Sequence, residues 1–239
     1  RLKLRGLEIH LTDDLGPHTK YYPYVSRENE FDLPLVTADD DVMYPREWLR
    51  DLIAAYEGNS SAIHCFRAHR MRLTNTPDIR LLPYGSWRPC KNTYPSHLNF
   101  ITGVSGAIYP PDYLKYLKQQ GKAFIQCCPS QDDIWLTVSA LRGGFKIAQI
   151  KDSSAGFTTI PKTQRKRLYD FNVSLGANQI QLVRTFSEVD LSALWNHQEA
   201  LEGRLLPAKI ELNEKHASQK EPEPIHGPAA AAPRPWRSA

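Results

Sequence analysis

Two short acidic runs carry most of the chemical interest of this chain: Asp39-Asp40-Asp41, and Asp132-Asp133. Asp39 and Asp41 stand two apart, after Leu33-Pro34-Leu35-Val36-Thr37-Ala38, an apolar run that reads as a buried strand. Alternate side chains of a strand share a face, so the spacing predicts that both carboxylates aim at one point while Asp40 turns away. Two convergent carboxylates suit a hard cation, Mg²⁺ or Mn²⁺ rather than zinc, with substrate phosphates and water completing the shell. The same run also reads as a plain polar turn leading into the next helix.

Asp132 and Asp133 fall where Cys128-Pro129-Ser130-Gln131 gives way to a helical pattern. Ser130 with Asp133 matches S/T-x-x-[DE], which makes Ser130 the expected cap and Asp133 a capping acid. Asp133 alternatively reads as a base that takes a proton from an alcohol, with the helix dipole expected to depress its pKa. Thr102-Gly103-Val104-Ser105-Gly106 lets backbone approach a ligand closely, yet it lacks the lysine of a P-loop and the third glycine of a dinucleotide fingerprint. Lys20 reads either as a point charge for a phosphate or as a surface lysine. Tyr84, Trp87, Tyr94, Tyr109 and Trp135 are stacking platforms for a sugar ring or simply core.

The elements that position these groups alternate between strand and helix. Leu7 to Leu11 reads as a first strand, and Pro45 to Glu57 as a helix with Trp48, Leu49, Leu52, Ile53 and Tyr56 on one stripe. Ala62 to Phe66 follows as a strand, giving the strand-helix-strand order of a parallel crossover. Leu81 to Phe100 reads as irregular, Pro111 to Gln120 as a helix closed by Gly121, Ser130 to Arg142 as a helix, and Lys146 to Ile150 as a strand. The fold class expected is α/β, a mixed sheet flanked by helices. Lys162, Arg165, Lys166 and Arg167 form a basic stretch, and from Glu214 the Pro/Ala-rich composition predicts a disordered tail over 214–239 after a domain over 1–213.

Composition excludes several classes. With 30 Lys+Arg against 26 Asp+Glu over 239 residues, the net charge of +4 is too weak a field to imply nucleic acid. No apolar run approaches the roughly 20 residues of a membrane span. Cys65, Cys90, Cys127 and Cys128 contain no C-x-x-C pair, which points to a reducing, cytoplasmic setting, and His64 beside Cys65 falls short of a zinc pattern.

Taken in order, these pieces resemble a bacterial glycosyltransferase of the GT-A fold, family 2-like, over about Gly6 to Lys151. Val36-Thr37-Ala38-Asp39-Asp40-Asp41 resembles the family's strand ending in a D-x-D metal site, Gly103-Val104-Ser105-Gly106-Ala107 its glycine loop below the acceptor, and Gln131-Asp132-Asp133 its x-E-D motif with Asp in place of Glu. The resemblance implies Asp39 and Asp41 as ligands of Mn²⁺ or Mg²⁺, and Lys20, Asp39 and Asp40 as contacts to a nucleotide-sugar donor. It also implies Asp133 as catalytic base with Asp132 beside it on the acceptor, and Gly103, Val104, Ser105, Gly106 and Trp135 against a carbohydrate or lipid-linked acceptor. His197 and His216 are candidates for a further metal ligand. The implied reaction is metal-dependent, inverting sugar transfer in surface polysaccharide or glycoconjugate synthesis. Only 38 residues precede Asp39, where the family carries its nucleobase-holding strands, so the chain reads as N-terminally incomplete and is expected to bind a nucleotide sugar weakly. The alternatives are a Mg-dependent nucleotidyl or phosphoryl transferase, or an inactive fragment that only binds a partner.

Overall fold

The computed structural model describes residues 2–161, 163 and 177–217, with side chains described up to residue 203. The basic stretch from Lys162 to Arg167 and the tail from residue 218 lie outside the described residues. The chain divides into two compact units, Arg1–Gln198 and Glu199–Ala239. Among the described residues no helix is long and apolar enough to cross a membrane.

The first unit is mixed α/β. Among the described residues its main sheet has four strands in the order β1 (Leu35–Thr37), β8 (Ala107–Tyr109), β2 (Ile63–Cys65) and β9 (Ile147–Gln149). β8 runs antiparallel to both β1 and β2, and β2 runs parallel to β9, so β1, β2 and β9 all point the same way. The strand-helix-strand crossover therefore exists, but β8 intervenes between its two strands, and β1 is an edge strand. The register places Thr37, Ala107, Cys65 and Gln149 in one row across the sheet. Asp39, two residues beyond Thr37, and Ser105, two residues before Ala107, consequently leave the sheet on the same edge. That edge is the carboxyl end of the parallel strands, where open α/β sheets bind ligands.

Helix α2 (Trp48–Gly58) joins β1 to β2 and covers the sheet: Leu52, fully buried, packs with Phe66 and Ile108, and Val36, Trp48, Tyr56 and Phe157 close around them. Only part of the expected stripe is inside, since Leu49 and Ile53 are exposed. Helix α3 (Pro111–Gln120) begins and ends as its Pro and Gly predict. Helix α5 (Asp132–Arg142) lies against β7 (Asn99–Ile101), where the Ile101 amide donates to the Thr137 hydroxyl at 3.3 Å. β7 belongs to a second sheet, ordered β6 (Arg88–Pro89), β3 (Ala68–Arg70), β7, of which β6 and most of β7 fall in the stretch from Leu81 to Phe100 that reads as irregular in sequence. Its strands are two or three residues long, too short to show period-two alternation.

Other expectations fail for identifiable reasons. Leu7 to Leu11 forms no strand; every side chain there is exposed, and among the described residues no strand pairs with it. Ser130 does not cap α5. The cap position is Gln131, with no side-chain cap bond, while Ser130 is held by Gln181 of α6 (Ala177–Thr185) through bonds of 3.1 and 2.8 Å. Past α6, α7 (Glu188–Ala217) keeps its backbone helical beyond Glu214. Arg142, ending α5, grips Asp190 of α7 with two bonds of 3.0 and 2.7 Å and the Thr185 carbonyl at 2.8 Å, a bidentate clamp that secures the end of α5.

Gly106 is the tightest point of the glycine loop. Its φ of +92° belongs to the region that favours glycine, and a Cβ placed there would meet the Trp48 indole at 2.4 Å. Gly106→Ala is expected to cost about 3 kcal/mol, from backbone strain together with overpacking. Gly85→Ala, with nothing within 4 Å of the new methyl, is expected to stay within about 0.5 kcal/mol of the parent. Urea unfolding of the two variants checks both, and a Gly106→Ala protein as stable as the parent would mean the loop is free to rearrange.

Candidate functional site

At the carboxyl edge of the main sheet, four separate stretches of chain meet. Thr37 ends β1, and the loop that follows carries Asp39 toward the 3-10 turn Gly16–Lys20, so that Lys20 Nζ lies 2.5 Å from Asp39 Oδ1. The same ammonium is 3.8 Å from Asp132 Oδ2 at the start of α5. Asp133, one residue on, accepts a hydrogen bond from the Gly103 amide at 2.9 Å. A Cβ on Gly103 would sit 3.2 Å from that carboxylate and 3.6 Å from Lys20 Nζ, so the glycine leaves room for both groups. Lys20, Asp39, Gly103, Asp132 and Asp133 thus form one cluster.

Two aromatic residues hold the acidic loop against the glycine loop. The Tyr44 hydroxyl accepts from the Asp39 amide at 2.8 Å and donates to the Val104 carbonyl at 3.3 Å. Its ring packs on Trp48, centroids 4.4 Å apart, and the Trp48 indole N–H donates to the Ser105 carbonyl at 2.9 Å. From the other side the Ser105 hydroxyl donates to the Ala155 carbonyl at 2.6 Å, and the Thr102 hydroxyl to the Arg67 carbonyl at 2.9 Å. Asp41 is positioned by its backbone: around a bridge pairing Val42 with Thr159, the Asp41 carbonyl accepts from Ile160 at 2.7 Å and the Met43 amide donates to Thr158 at 2.9 Å.

Burial sets the electrostatics. Asp133 is pushed up to about 8, first by burial and then by the neighbouring Asp132 charge, against the pull of Lys20 and the Gly103 amide. The expected depression by the helix dipole is thus overridden. Asp39 is also raised, mainly by burial, with Asp132 and Asp41 adding to it and Lys20 opposing. Burial alone would lower Lys20, but Asp132, Asp39 and Asp133 together hold it well above its ordinary value. One oxygen of Asp132, Oδ2, is buried with no hydrogen-bond partner among the described residues, an acceptor with capacity to spare.

The sequence reading and the structure part company at several residues. Asp39 and Asp41 do not alternate along a strand; both lie beyond β1, with Asp40 and Asp41 in a turn and Asp40 exposed. They are close enough for the Asp41 charge to raise Asp39. Asp133 is not a capping acid, because its carboxylate is engaged with the glycine loop. Trp135 is 3% exposed and edge-on to Phe124, so it packs the core instead of offering a face to an acceptor; Trp87 and Tyr109 are buried too, whereas Tyr94 is exposed. Lys20 is turned onto carboxylates and not toward open solvent. His197 bonds the Ser96 hydroxyl at 3.0 Å in a different part of the unit, and the His216 side chain lies outside those described. His64, beside Cys65, bonds the Asn59 carbonyl at 2.8 Å.

Among the described residues no group of three His, Cys, Asp or Glu side chains stands ready to hold a metal ion. The pair Asp39 and Asp41 offers carboxylate oxygens alone, a donor set that suits a hard cation whose remaining positions come from phosphate and water. A separate concave surface of about 470 Å³, lined by Pro89, Cys90, Lys91, Asp152, Ser153 and Ser154, contains none of the cluster residues. The braces Tyr44 and Trp48 escaped the sequence reading as site residues. Their signal was present in Tyr44-Pro45, three residues past Asp41, where an aromatic so close to three aspartates has a short reach to their backbone. No family model, curated protein or solved structure matches this chain.

The raised aspartate links stability to pH. Between its ordinary value of 3.8 and about 8 the unfolded chain has released the Asp133 proton while the folded protein retains it. The folded state therefore binds more protons, and stability contributed by this group falls as pH rises through that window. Asp133→Asn keeps an oxygen acceptor for Gly103 without the charge, so it is expected to match the parent near pH 4 and exceed it above pH 8, as urea unfolding across pH would show. Lys20→Met should do the opposite, losing about 3 kcal/mol at neutral pH because buried carboxylates lose their counter-charge. Part of that loss should return as the pH is lowered; a Lys20→Met protein of unchanged stability would refute the compensation.

Proposed function

We propose that this cluster is the reaction centre of a glycosyltransferase that moves a sugar from a nucleotide-sugar donor to an acceptor hydroxyl, with Asp133 as the base. The observation that carries the reading is the Asp133 carboxyl itself, raised to about 8 and held by the Gly103 amide at the carboxyl edge of the sheet. A base whose pKa lies near the working pH combines a usable ionised fraction with a strong pull on a proton. An amide donor aimed at one oxygen orients the other toward the acceptor.

The acceptor hydroxyl donates toward Asp133, and a second hydroxyl of the acceptor donates to Asp132 Oδ2, which faces Lys20 at 3.8 Å but accepts no hydrogen bond among the described residues. Val104, exposed at the apex of the glycine loop, offers a small apolar surface beneath the acceptor ring. The acceptor oxygen attacks the anomeric carbon from the face opposite the nucleoside diphosphate, so the new C–O bond forms as the sugar–phosphate bond breaks and the anomeric centre inverts. Lys20 brings positive charge to the donor side, where negative charge grows on the departing nucleotide. Asp39 and Asp41 would hold Mn²⁺ or Mg²⁺ together with the donor diphosphate, and the cation would supply further neutralisation of that charge. The positions of the acidic run, glycine loop and second acidic pair in the chain support this reading through their resemblance to the GT-A pattern.

The test is transfer from a panel of nucleotide sugars to simple glycoside acceptors with Mn²⁺ present. Asp133→Asn is expected to lose about 10²- to 10⁴-fold in kcat while donor affinity is retained. Asp39→Asn is expected to weaken Mn²⁺-dependent binding of nucleoside diphosphates measured by calorimetry. Full transfer by Asp133→Asn would remove the base assignment; absence of nucleotide binding by the parent under every condition would remove the donor assignment.

A further inference from the structure

The adjacent thiols of Cys127 and Cys128 play no part in the reaction proposed above, yet their placement is specific. Cys127 ends the short helix α4 (Phe124–Cys127) and is partly exposed, whereas Cys128 is fully buried behind it. Their sulfurs are 3.6 Å apart and share a hydrogen bond. We propose that Cys127 and Cys128 form a thiol–disulfide exchange site, reactive toward small-molecule disulfides, whose oxidation reshapes the carboxylate cluster.

The pair has the division of roles that exchange requires: an accessible thiolate with a resolving thiol directly behind it. Cys127 is lowered to about 6, chiefly by the hydrogen bond from Cys128, with the Thr185 hydroxyl and the Arg142 charge helping; Cys128 is correspondingly raised. In the first step the Cys127 thiolate attacks one sulfur of the small disulfide, forming a mixed disulfide and expelling one thiolate. Cys128 then attacks the Cys127 sulfur, and its proton passes to the second small thiolate as that departs as a thiol. Two protein thiols are oxidised, one small disulfide is reduced to two thiols, and two electrons pass. Because the second step is internal, the burial of Cys128 does not impede it.

Adjacent Cα atoms are about 3.8 Å apart, shorter than the roughly 4.4 to 6.8 Å that disulfides prefer, so closing the bond must turn the Cys128 backbone. That backbone is what the cluster rests on. The Cys128 carbonyl accepts from His18 Nε2 at 2.8 Å, which leaves His18 Nδ1 to accept from the Tyr21 hydroxyl at 3.0 Å. His18 is fully buried, stacks on Phe124 at 3.9 Å, and lies two residues before Lys20 in the same turn. The Cys128 carbonyl also accepts from the Gln131 amide at 3.3 Å, immediately before Asp132. One carbonyl therefore supports both the Lys20 side and the Asp132 side of the cluster, and the strain of an adjacent-residue bridge makes the change easy to reverse.

The experiment exposes the protein to oxidised glutathione and maps its thiols by mass spectrometry, with carboxyl NMR to follow Asp133; neither readout needs a donor or a metal. The parent is expected to lose two hydrogens in the peptide holding Cys127 and Cys128, with Cys65 and Cys90 unmodified, and its Asp133 titration midpoint is expected to move. Cys128→Ser should instead accumulate a mixed disulfide on Cys127, and Cys127→Ser should remain unmodified. A parent protein whose Cys127 and Cys128 stay reduced overturns the exchange site. A bridge that forms and leaves the Asp133 titration unmoved overturns the link to the cluster.

Discussion

The Lys20 ammonium, 2.5 Å from Asp39 and 3.8 Å from Asp132, is the charge on which the rest of the arrangement depends. Bringing several carboxylates together out of water is unfavourable twice over, through lost hydration and mutual repulsion, and both effects grow as the local dielectric falls. A single positive charge compensates only part of this, and the remainder appears as a proton retained on Asp133. The result is one carboxyl group, Asp133, whose proton is exchangeable near neutral pH. Asp39 shows the balance directly, because burial raises it while Lys20 pulls it down.

That electrostatic balance needs rigid backbone around it, and the sheet edge supplies it. Thr37, Ala107, Cys65 and Gln149 stand in one row, so the chain leaves or enters the sheet at four neighbouring points. Tyr44 and Trp48 tie the first of these exits to the glycine loop, each through a side-chain bond to a backbone carbonyl. Trp48 is also the reason that residue 106 is glycine, since the indole fills the space a side chain would take. Packing, hydrogen bonding and backbone conformation thus converge on the same few residues, which is the consistency expected where a site is held in one geometry.

Much of the frame was legible in the sequence. The helix from Pro111 to Gln120 has proline at its start and glycine at its end, local signals that need no partner, and it forms with those bounds. The strands around Val36, His64 and Ala148 were visible as apolar runs between turn residues, and they form the main sheet. Leu7 to Leu11 alternates just as well and forms nothing, because alternation states only which faces a strand would have, and a strand needs a neighbour to bond. The cap assigned to Ser130 fails similarly, since Gln181, fifty-one positions away, claims it.

The sequence by itself determined which residue types were on hand: two acidic pairs, a lysine, a glycine loop, and the order in which they occur. Those follow from local composition, and so do the helices whose ends carry their own caps. Only the tertiary structure decided that Lys20, Asp39, Gly103 and Asp133 share one space while Trp135 does not, because strand order and register set which loops meet. The protonation of Asp133 belongs to the same category. A pKa depends on burial and on charges brought near from distant positions in the chain, and the local signal, a helix start that should lower it, pointed the other way.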